Sequence, residues 1–339
     1  MWYVSTHNCI ILLIKKREAM GKKQMKNSFD KYKKVAVIGC GFIGYSWGVA
    51  FARKGLETWM YNRPSKALDT VEERMRGALQ FLAEEGVISD EEIDNAMCNV
   101  HITDDLSAAV DGADYIQECL WEDLELKQNI FKTLTDMTDE NVPIGSSCSG
   151  LRITDIASKV TNHPERCIVA HPTNPPHLIP FMEISGDNAS QDVKDSVFDF
   201  FEQVVGQKPI QCKEVYGYVL NRLQLSLVQE ALYLVQEDIC NVEAVERALT
   251  EGLGLRWAFT GPFGVEELNS PNLFEGLDKY KDYMIEFFTK EQKKVYDYDE
   301  DFIKKCVDGF APLMDGKSHE EYLLWRDQMV TRTRRLKED

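Results

Sequence analysis

The chain has 339 residues, 44% hydrophobic and 28% charged, a composition that excludes a fully disordered chain and a length that suggests two domains. With 39 Lys+Arg against 56 Asp+Glu the formal charge is −17, so the surface repels nucleic-acid phosphates and anionic lipid, and neither is expected as a partner. Residues 1–34 run against this trend with nine basic and two acidic side chains, leaving 30 basic against 54 acidic in the body.

The head, residues 1–33, contains one apolar run, Cys9 to Ile14, too short to span a bilayer. Its positive charges follow that run, the reverse of a secretory signal. It reads as a basic, disordered extension or an over-long start, with Met20 and Met25 as later starts. Nine cysteines without a Cys-x-x-Cys pair read as reduced thiols of a cytoplasmic protein. The six histidines show no zinc-ligand spacing, so no metal is expected.

Regular structure is expected from Lys34. Lys34-Val35-Ala36-Val37-Ile38 is an apolar, β-branched run of strand length. It leads through Gly39-Cys40-Gly41-Phe42-Ile43-Gly44 into a helix ending near Gly55, and a second strand covers Glu57–Tyr61. Further strands are expected at 115–117, 142–146 and 167–170, with a helix over 122–137. This alternation predicts an α/β fold, a Rossmann-type doubly wound parallel sheet over residues 34–212. From 213 to 339 the apolar spacing is helical over 217–238, with further helical stretches at 242–252, 276–290, 299–306 and 319–336 and no convincing strand, which predicts an all-α C-terminal domain.

The glycine loop sits where a dinucleotide needs it, between a buried strand and a helix. Gly39 allows the tight turn, Gly41 lets a pyrophosphate approach the backbone, and Gly44 lets helix and strand pack closely. Phe42 and Ile43 complete the loop, and the helix N-terminus supplies N–H donors to the anion. At the end of the second strand stands Asn62 instead of an acid, followed by Arg63, Ser65 and Lys66. Asn does not repel a 2′-phosphate and Arg63 can bind one bidentately, which favours NADP(H) over NAD(H). Alternatively, Arg63 and Lys66 only solvate a turn and Asn62 serves NAD through its amide.

Four later segments complete the pattern: Ser146-Ser147-Cys148-Ser149-Gly150-Leu151, Ala170-His171-Pro172-Thr173-Asn174-Pro175-Pro176, Pro180-Phe181-Met182-Glu183-Ile184 and Gly217-Tyr218-Val219-Leu220-Asn221-Arg222. With the glycine loop ahead of them, over roughly residues 34–335, they resemble the 3-hydroxyacyl-CoA dehydrogenase family. The nearer resemblance is to its lambda-crystallin / L-gulonate 3-dehydrogenase branch, carried by Ile116-Gln117-Glu118-Cys119, Glu122 to Lys127 and Gly252 to Phe259.

The resemblance implies that His171 is the general base and that Glu183 holds its imidazole. It implies that Ser149 and Asn221 position the substrate oxygen, and that Glu122 and Lys127 hold the nicotinamide end of the cofactor. It also implies a homodimer formed through the helical domain. The chemistry is self-consistent, because hydride leaves a secondary alcohol only as the hydroxyl proton leaves, and His is a base of suitable pKa. Each residue also has a structural reading: Ser149 as N-cap of a helix over 151–160, Cys148 as an inert thiol, Asn221 as a polar residue early in a helix.

For the substrate, residues 67–100 are strongly acidic, with Asp69, Glu72, Glu73, Glu84, Glu85, Asp90, Glu91, Glu92 and Asp94 against Arg74 and Arg76. This disfavours coenzyme A phosphates. The resemblance of the segment around Arg256 to the lambda-crystallin branch implies a small 3-hydroxy acid such as L-gulonate, whose carboxylate an arginine fork would pair, with Arg256 as an interdomain salt-bridge residue the structural alternative. Carnitine, its quaternary ammonium against Trp121 or Trp257, and a 3-hydroxyacyl-CoA are the competing substrates. A non-catalytic nucleotide-binding structural or sensor protein is the competing class; intact His171, Glu183, Ser149 and Asn221 favour an enzyme.

Overall fold

The computed structural model describes residues 31–338 apart from 270, 291–299, 311, 313 and 314. The basic extension expected over 1–33 therefore lies, except for its last three residues, outside the described residues. The chain divides into two compact units, Met1–Asn221 and Arg222–Asp339.

The first unit is built on one eight-stranded sheet in the order β3-β2-β1-β4-β5-β6-β7-β8. The strands are β1 (Lys34–Ile38), β2 (Glu57–Tyr61), β3 (Val100–Thr103), β4 (Tyr115–Glu118), β5 (Ile144–Ser146), β6 (Cys167–Pro172), β7 (Phe181–Ser185) and β8 (Lys208–Gln211). β1 to β6 pair in parallel, as the alternating pattern predicts for a doubly wound sheet. Valine and isoleucine side chains of β1 are fully buried because helices cover this part of the sheet.

Three strands were not expected from the sequence. β3 is a four-residue edge strand whose middle residues His101 and Ile102 are exposed, so it lacks the apolar run that marks β1. β8 carries Pro209, which only an edge strand tolerates. β7 hides a carboxylate, Glu183, among apolar residues and runs antiparallel to β6. The reversal follows from chain length: only the eight residues 173–180 join β6 to β7, too few for the crossover that a parallel pair needs.

The glycine loop connects β1 to the helix Phe42–Ala52. A Cβ at Gly44 would lie 1.7 Å from the Gly39 carbonyl oxygen, so only glycine permits this approach. A Cβ at Gly41 would meet nothing within 4 Å, which leaves that backbone open toward the cleft. Trp47 and Phe51 of the same helix stack at 5.3 Å and pack on Phe200, Phe201 and Tyr115, anchoring the helix to the sheet.

The second unit contains helices and, among the described residues, no strand. Its small core gathers Val235 and Val245 with Ala231, Leu232, Leu234 and Val242. Leu223, Leu225, Leu227 and Val228 of the helix Leu220–Gln236 stay exposed.

The two loop glycines should therefore separate in their effects. Gly44→Ala overpacks the turn and is expected to cost about 1–3 kcal/mol or more in urea unfolding. Gly41→Ala is expected to keep the melting temperature yet weaken dinucleotide binding in calorimetric titration; equal behaviour of the two variants would refute this division.

Candidate active site

The carboxyl ends of β1, β2, β4, β5 and β6 open onto one cleft of about 1120 Å³, the position where open α/β sheets hold ligands. Gly39, Gly41, Phe42, Ile43, Asn62, Arg63, Ser65, Glu122, Lys127, Ser149 and His171 all line it. Gly44 is buried beneath the loop. Glu122 is the one carboxylate in the lining among the described residues, so the negative charge they carry is kept away from this cleft. The open backbone at Gly41, the helix N-terminus behind it and the breadth of the cleft fit a dinucleotide.

His171 and Glu183 face each other as register partners across β6 and β7. His171 Nδ1 lies 2.8 Å from Glu183 Oε2, and both residues are buried. Glu183 Oε1 accepts the backbone N–H groups of Val219 and Leu220, each at 2.8 Å. Gly217 and Tyr218, both left-handed, turn the chain so that these two N–H groups point back at the carboxylate. Burial pushes the Glu183 pKa up, but the hydrogen bonds from His171, Leu220 and Val219 outweigh it and hold the carboxyl below its ordinary range. An ionised Glu183 only accepts, so Nδ1 of His171 must donate, and in the neutral imidazole Nε2 then carries the lone pair. No described residue partners Nε2. Tyr218 packs its ring 5.9 Å from the imidazole and donates its hydroxyl to the Leu151 carbonyl at 2.9 Å.

Glu122 binds the loop after β5. Its Oε2 accepts the Ser149 hydroxyl at 2.7 Å, and its Oε1 accepts the Gly150 N–H at 2.5 Å and the Cys148 thiol at 3.2 Å. Burial raises the Glu122 pKa, and the hydrogen bonds from Ser149, Cys148, Gly150 and Leu151 more than reverse this. Ser149 is thus not the cap of the helix expected over 151–160; that helix runs as an α-helix over Ile153–Ile156 and a 3-10 turn over Ala157–Lys159, with Arg152 at its N-cap. With its proton given to Glu122, Ser149 offers lone pairs to the cleft and suits a hydroxyl donor. Asn221 Nδ2 donates to the Ser149 carbonyl at 3.1 Å, which brings Asn221 beside the same loop. Cys148 is buried and its thiol is pushed up to about 12, the inert thiol expected.

Two expected cofactor residues are engaged within the protein itself, Lys127 fully and Asn62 in part. Lys127 is buried, and its Nζ donates to both Glu118 oxygens at 2.7 and 2.8 Å and to the Leu120 carbonyl at 3.1 Å. An ammonium has three protons, so none is left for a nicotinamide; Lys127 supports the wall of the cleft. Asn62 Nδ2 donates to the Arg63 carbonyl and to Ser65 Oγ, both at 2.8 Å, while Oδ1 accepts the Cys40 N–H at 3.2 Å. Asn62 therefore braces the glycine loop, and only one lone pair of Oδ1 remains. Ser65 Oγ also caps the short helix Lys66–Asp69.

The guanidinium of Arg63 is exposed at the lining and has no partner among the described residues. Lys66 is exposed but does not line the cleft. Arg256 belongs to the second unit, where it is exposed and its guanidinium is unpartnered among the described residues. Asn174 and Trp121 were not expected from the sequence to belong to the cofactor cleft. Both line it, Asn174 exposed and Trp121 with 87% of its surface in solvent. Their signal was adjacency, Asn174 three residues after His171 and Trp121 beside Glu122.

A glycine loop between β1 and its helix, at the head of a parallel sheet with a carboxylate-held histidine in the cleft, defines the class of dinucleotide-binding dehydrogenases. The model for the 3-hydroxyacyl-CoA dehydrogenase NAD binding domain matches residues 34–215, and that for the C-terminal domain matches 217–298. The chain belongs to the 3-hydroxyacyl-CoA dehydrogenase family, whose members are NAD-dependent oxidoreductases acting on hydroxyl groups. It is 31% identical to lambda-crystallin of Oryctolagus cuniculus over 314 residues, covering 89% of this chain and 96% of that protein. It is 36% identical to L-carnitine dehydrogenase of Oceanobacillus iheyensis over 236 residues, 68% of this chain and 74% of that one. The fold matches 5-formyl-3-hydroxy-2-methylpyridine 4-carboxylic acid 5-dehydrogenase, an NAD+-dependent dismutase, with TM-score 0.76 and 24% identity over 91% of this chain and 99% of that one.

The reassignment of Lys127 is testable by stability. Lys127→Met leaves Glu118 buried and unpaired and is expected to cost about 3–5 kcal/mol in urea unfolding. Adding Glu118→Gln removes the stranded charge and should recover part of that loss. A Lys127→Met protein of unchanged stability with weakened coenzyme binding would return Lys127 to direct contact.

Proposed function

We propose that this protein oxidises the secondary alcohol of a small 3-hydroxy carboxylate such as L-gulonate, with NADP(H) accepted ahead of NAD(H). The observation that carries this reading is the buried His171–Glu183 pair with a free Nε2 on the dinucleotide cleft. The nicotinamide ring, when bound, supplies the hydride acceptor. As the carbinol carbon gives up hydride, His171 Nε2 takes the hydroxyl proton and the C–O bond becomes a carbonyl. Glu183 stays ionised throughout and stabilises the imidazolium. The one proton of the reacting hydroxyl goes to His171, so Ser149, with its own proton on Glu122, accepts from a neighbouring hydroxyl of the substrate, and the second N–H of Asn221 is available to the reacting oxygen.

The coenzyme preference rests on the unpartnered Arg63 and on the absence of a carboxylate at the end of β2. The substrate class rests on charge. In the segment disfavouring CoA, Arg74 is turned inward onto the Cys40 and Ala67 carbonyls, and Arg76 is paired with Glu72 and Asp94. Neither arginine is left to meet a polyphosphate carrier, while Glu72, Glu73, Asp90, Glu91, Glu92 and Asp94 are exposed. Arg256 is proposed to pair the substrate carboxylate.

A homodimer through the second unit is proposed from the apolar side chains that Leu223, Leu225, Leu227 and Val228 leave exposed. Cytoplasmic residence is proposed from the seven described free cysteines. No helix among the described residues is long and apolar enough to cross a membrane.

A spectrophotometric screen of L-gulonate, carnitine, 3-hydroxybutyrate and 3-hydroxybutyryl-CoA with both coenzymes tests the reading. L-Gulonate with NADP should give the highest kcat/KM; NAD clearly ahead would remove the role given to Arg63, and the CoA ester clearly ahead would remove the charge argument. His171→Gln should abolish turnover while leaving coenzyme affinity nearly unchanged, and retained turnover would displace His171 as base. Light scattering should give twice the chain mass; the mass of one chain would count against the dimer.

A further inference from the structure

Ser147, the first residue after β5, lines the cleft and has no part in the mechanism above. Its hydroxyl lies at the centre of a polar cluster whose donor and acceptor roles are fixed by chemistry. The indole Nε1–H of buried Trp47 donates to Ser147 Oγ at 3.2 Å, and an indole nitrogen can only donate. Gln117, also buried, places Nε2 2.7 Å from the same oxygen and 3.2 Å from the Ala170 carbonyl. A carbonyl can only accept, so the Gln117 nitrogen must face that side and its Oε1 must face the Tyr115 hydroxyl, 2.5 Å away. Both lone pairs of Ser147 Oγ are thus filled by obligate donors. What remains is one proton.

That proton has one acceptor among the described residues, the sulfur of Cys119 at 3.2 Å. Burial raises the Cys119 pKa, so the thiol keeps its own proton, which faces the Gln117 carbonyl at 3.9 Å. A neutral thiol sulfur is a weak acceptor, and any oxygen entering the cleft displaces it.

We propose that Ser147 is a donor-only residue of the dinucleotide cleft, giving its single proton to the carboxamide oxygen of the nicotinamide. The proposal rests on the dinucleotide reading of the cleft. A neutral oxygen fits better than a phosphate. The anion's donors are the N–H groups of the glycine-loop helix, and the loop that follows Ser147 is held by the ionised Glu122. Glu122 only accepts, and its Oε2 takes one hydrogen bond among the described residues. A fixed donor at Ser147 and a fixed acceptor at Glu122 match the two ends of a primary amide, C=O and NH2. The wiring also ties the donor to the base, because Gln117 holds Ser147 with one N–H and the carbonyl preceding His171 with the other.

Calorimetric titration of the full-length protein with oxidised coenzymes tests this without turnover. Ser147→Ala should weaken binding of the natural coenzyme about three- to tenfold, the effect of one neutral hydrogen bond. The thionicotinamide analogue, whose C=S accepts poorly, should bind wild type and variant alike. The 3-acetylpyridine analogue keeps the C=O and loses the NH2, so it should show the full Ser147→Ala effect. Should Ser147→Ala lower the melting temperature by stranding the Trp47 N–H, Ser147→Cys keeps an atom there with a much weaker donor and should give the same pattern. Equal affinity of wild type and both variants for the natural coenzyme would overturn the proposal. So would a loss that persists undiminished with the thio analogue, since the acceptor would then lie elsewhere. Wild-type protein that binds none of these dinucleotides would overturn the reading of the cleft itself, and this proposal with it.

Discussion

The hydrogen bond between His171 and Glu183 is the constraint on which the rest of the site depends. It exists because β7 turns back along β6 and brings the two residues into register. A carboxylate so deeply buried is costly unless its oxygens are filled, and here Val219, Leu220 and the imidazole fill them. The same contacts that satisfy Glu183 fix the imidazole tautomer and draw in the segment carrying Asn221. The geometry of the base and the satisfaction of a buried charge are one arrangement.

A second charge problem is solved at β4. Glu118 is fully buried beneath the cleft and would be a severe liability alone. Lys127 neutralises it, while the Leu120 N–H and Ser146 hydroxyl occupy its remaining lone pairs. The pair contributes no net charge to the cleft, which leaves Arg63 as the cation in its lining with its guanidinium unpartnered among the described residues. An acidic protein can then receive an anionic dinucleotide through backbone N–H groups and one arginine, with its exposed carboxylates carried on helices such as Val71–Glu84 and Asp90–Met97.

Five of the eight strands and the glycine loop were legible because a buried parallel strand must be apolar throughout and a pyrophosphate turn must be glycine-rich. β3, β7 and β8 were not, since edge strands and a strand with a buried acid carry no such pattern. Lys127 and Asn62 were read as ligand-facing because their types suit a ligand. Their true partners, Glu118 and the backbone around Cys40, become neighbours only when the sheet and the loop are closed. Ser147 escaped notice because a serine beside two other serines has no distinguishing mark until Trp47 and Gln117 arrive from other elements.

By itself the sequence determined the layers of the fold, the position of the dinucleotide turn, the excess of negative charge and the residue types able to carry out the chemistry. These depend on local spacing and composition, which a single chain displays directly. Only the tertiary structure decided which polar groups are free. Hydrogen-bonding capacity is finite: three protons on Lys127, two on the Asn62 amide, one on Ser147. Whether that capacity is spent inside the protein or left for a ligand is settled by how the folded backbone aims each group, at Glu118 nine residues from Lys127, at Arg63 and Ser65 beside Asn62, and at Gln117 thirty residues from Ser147.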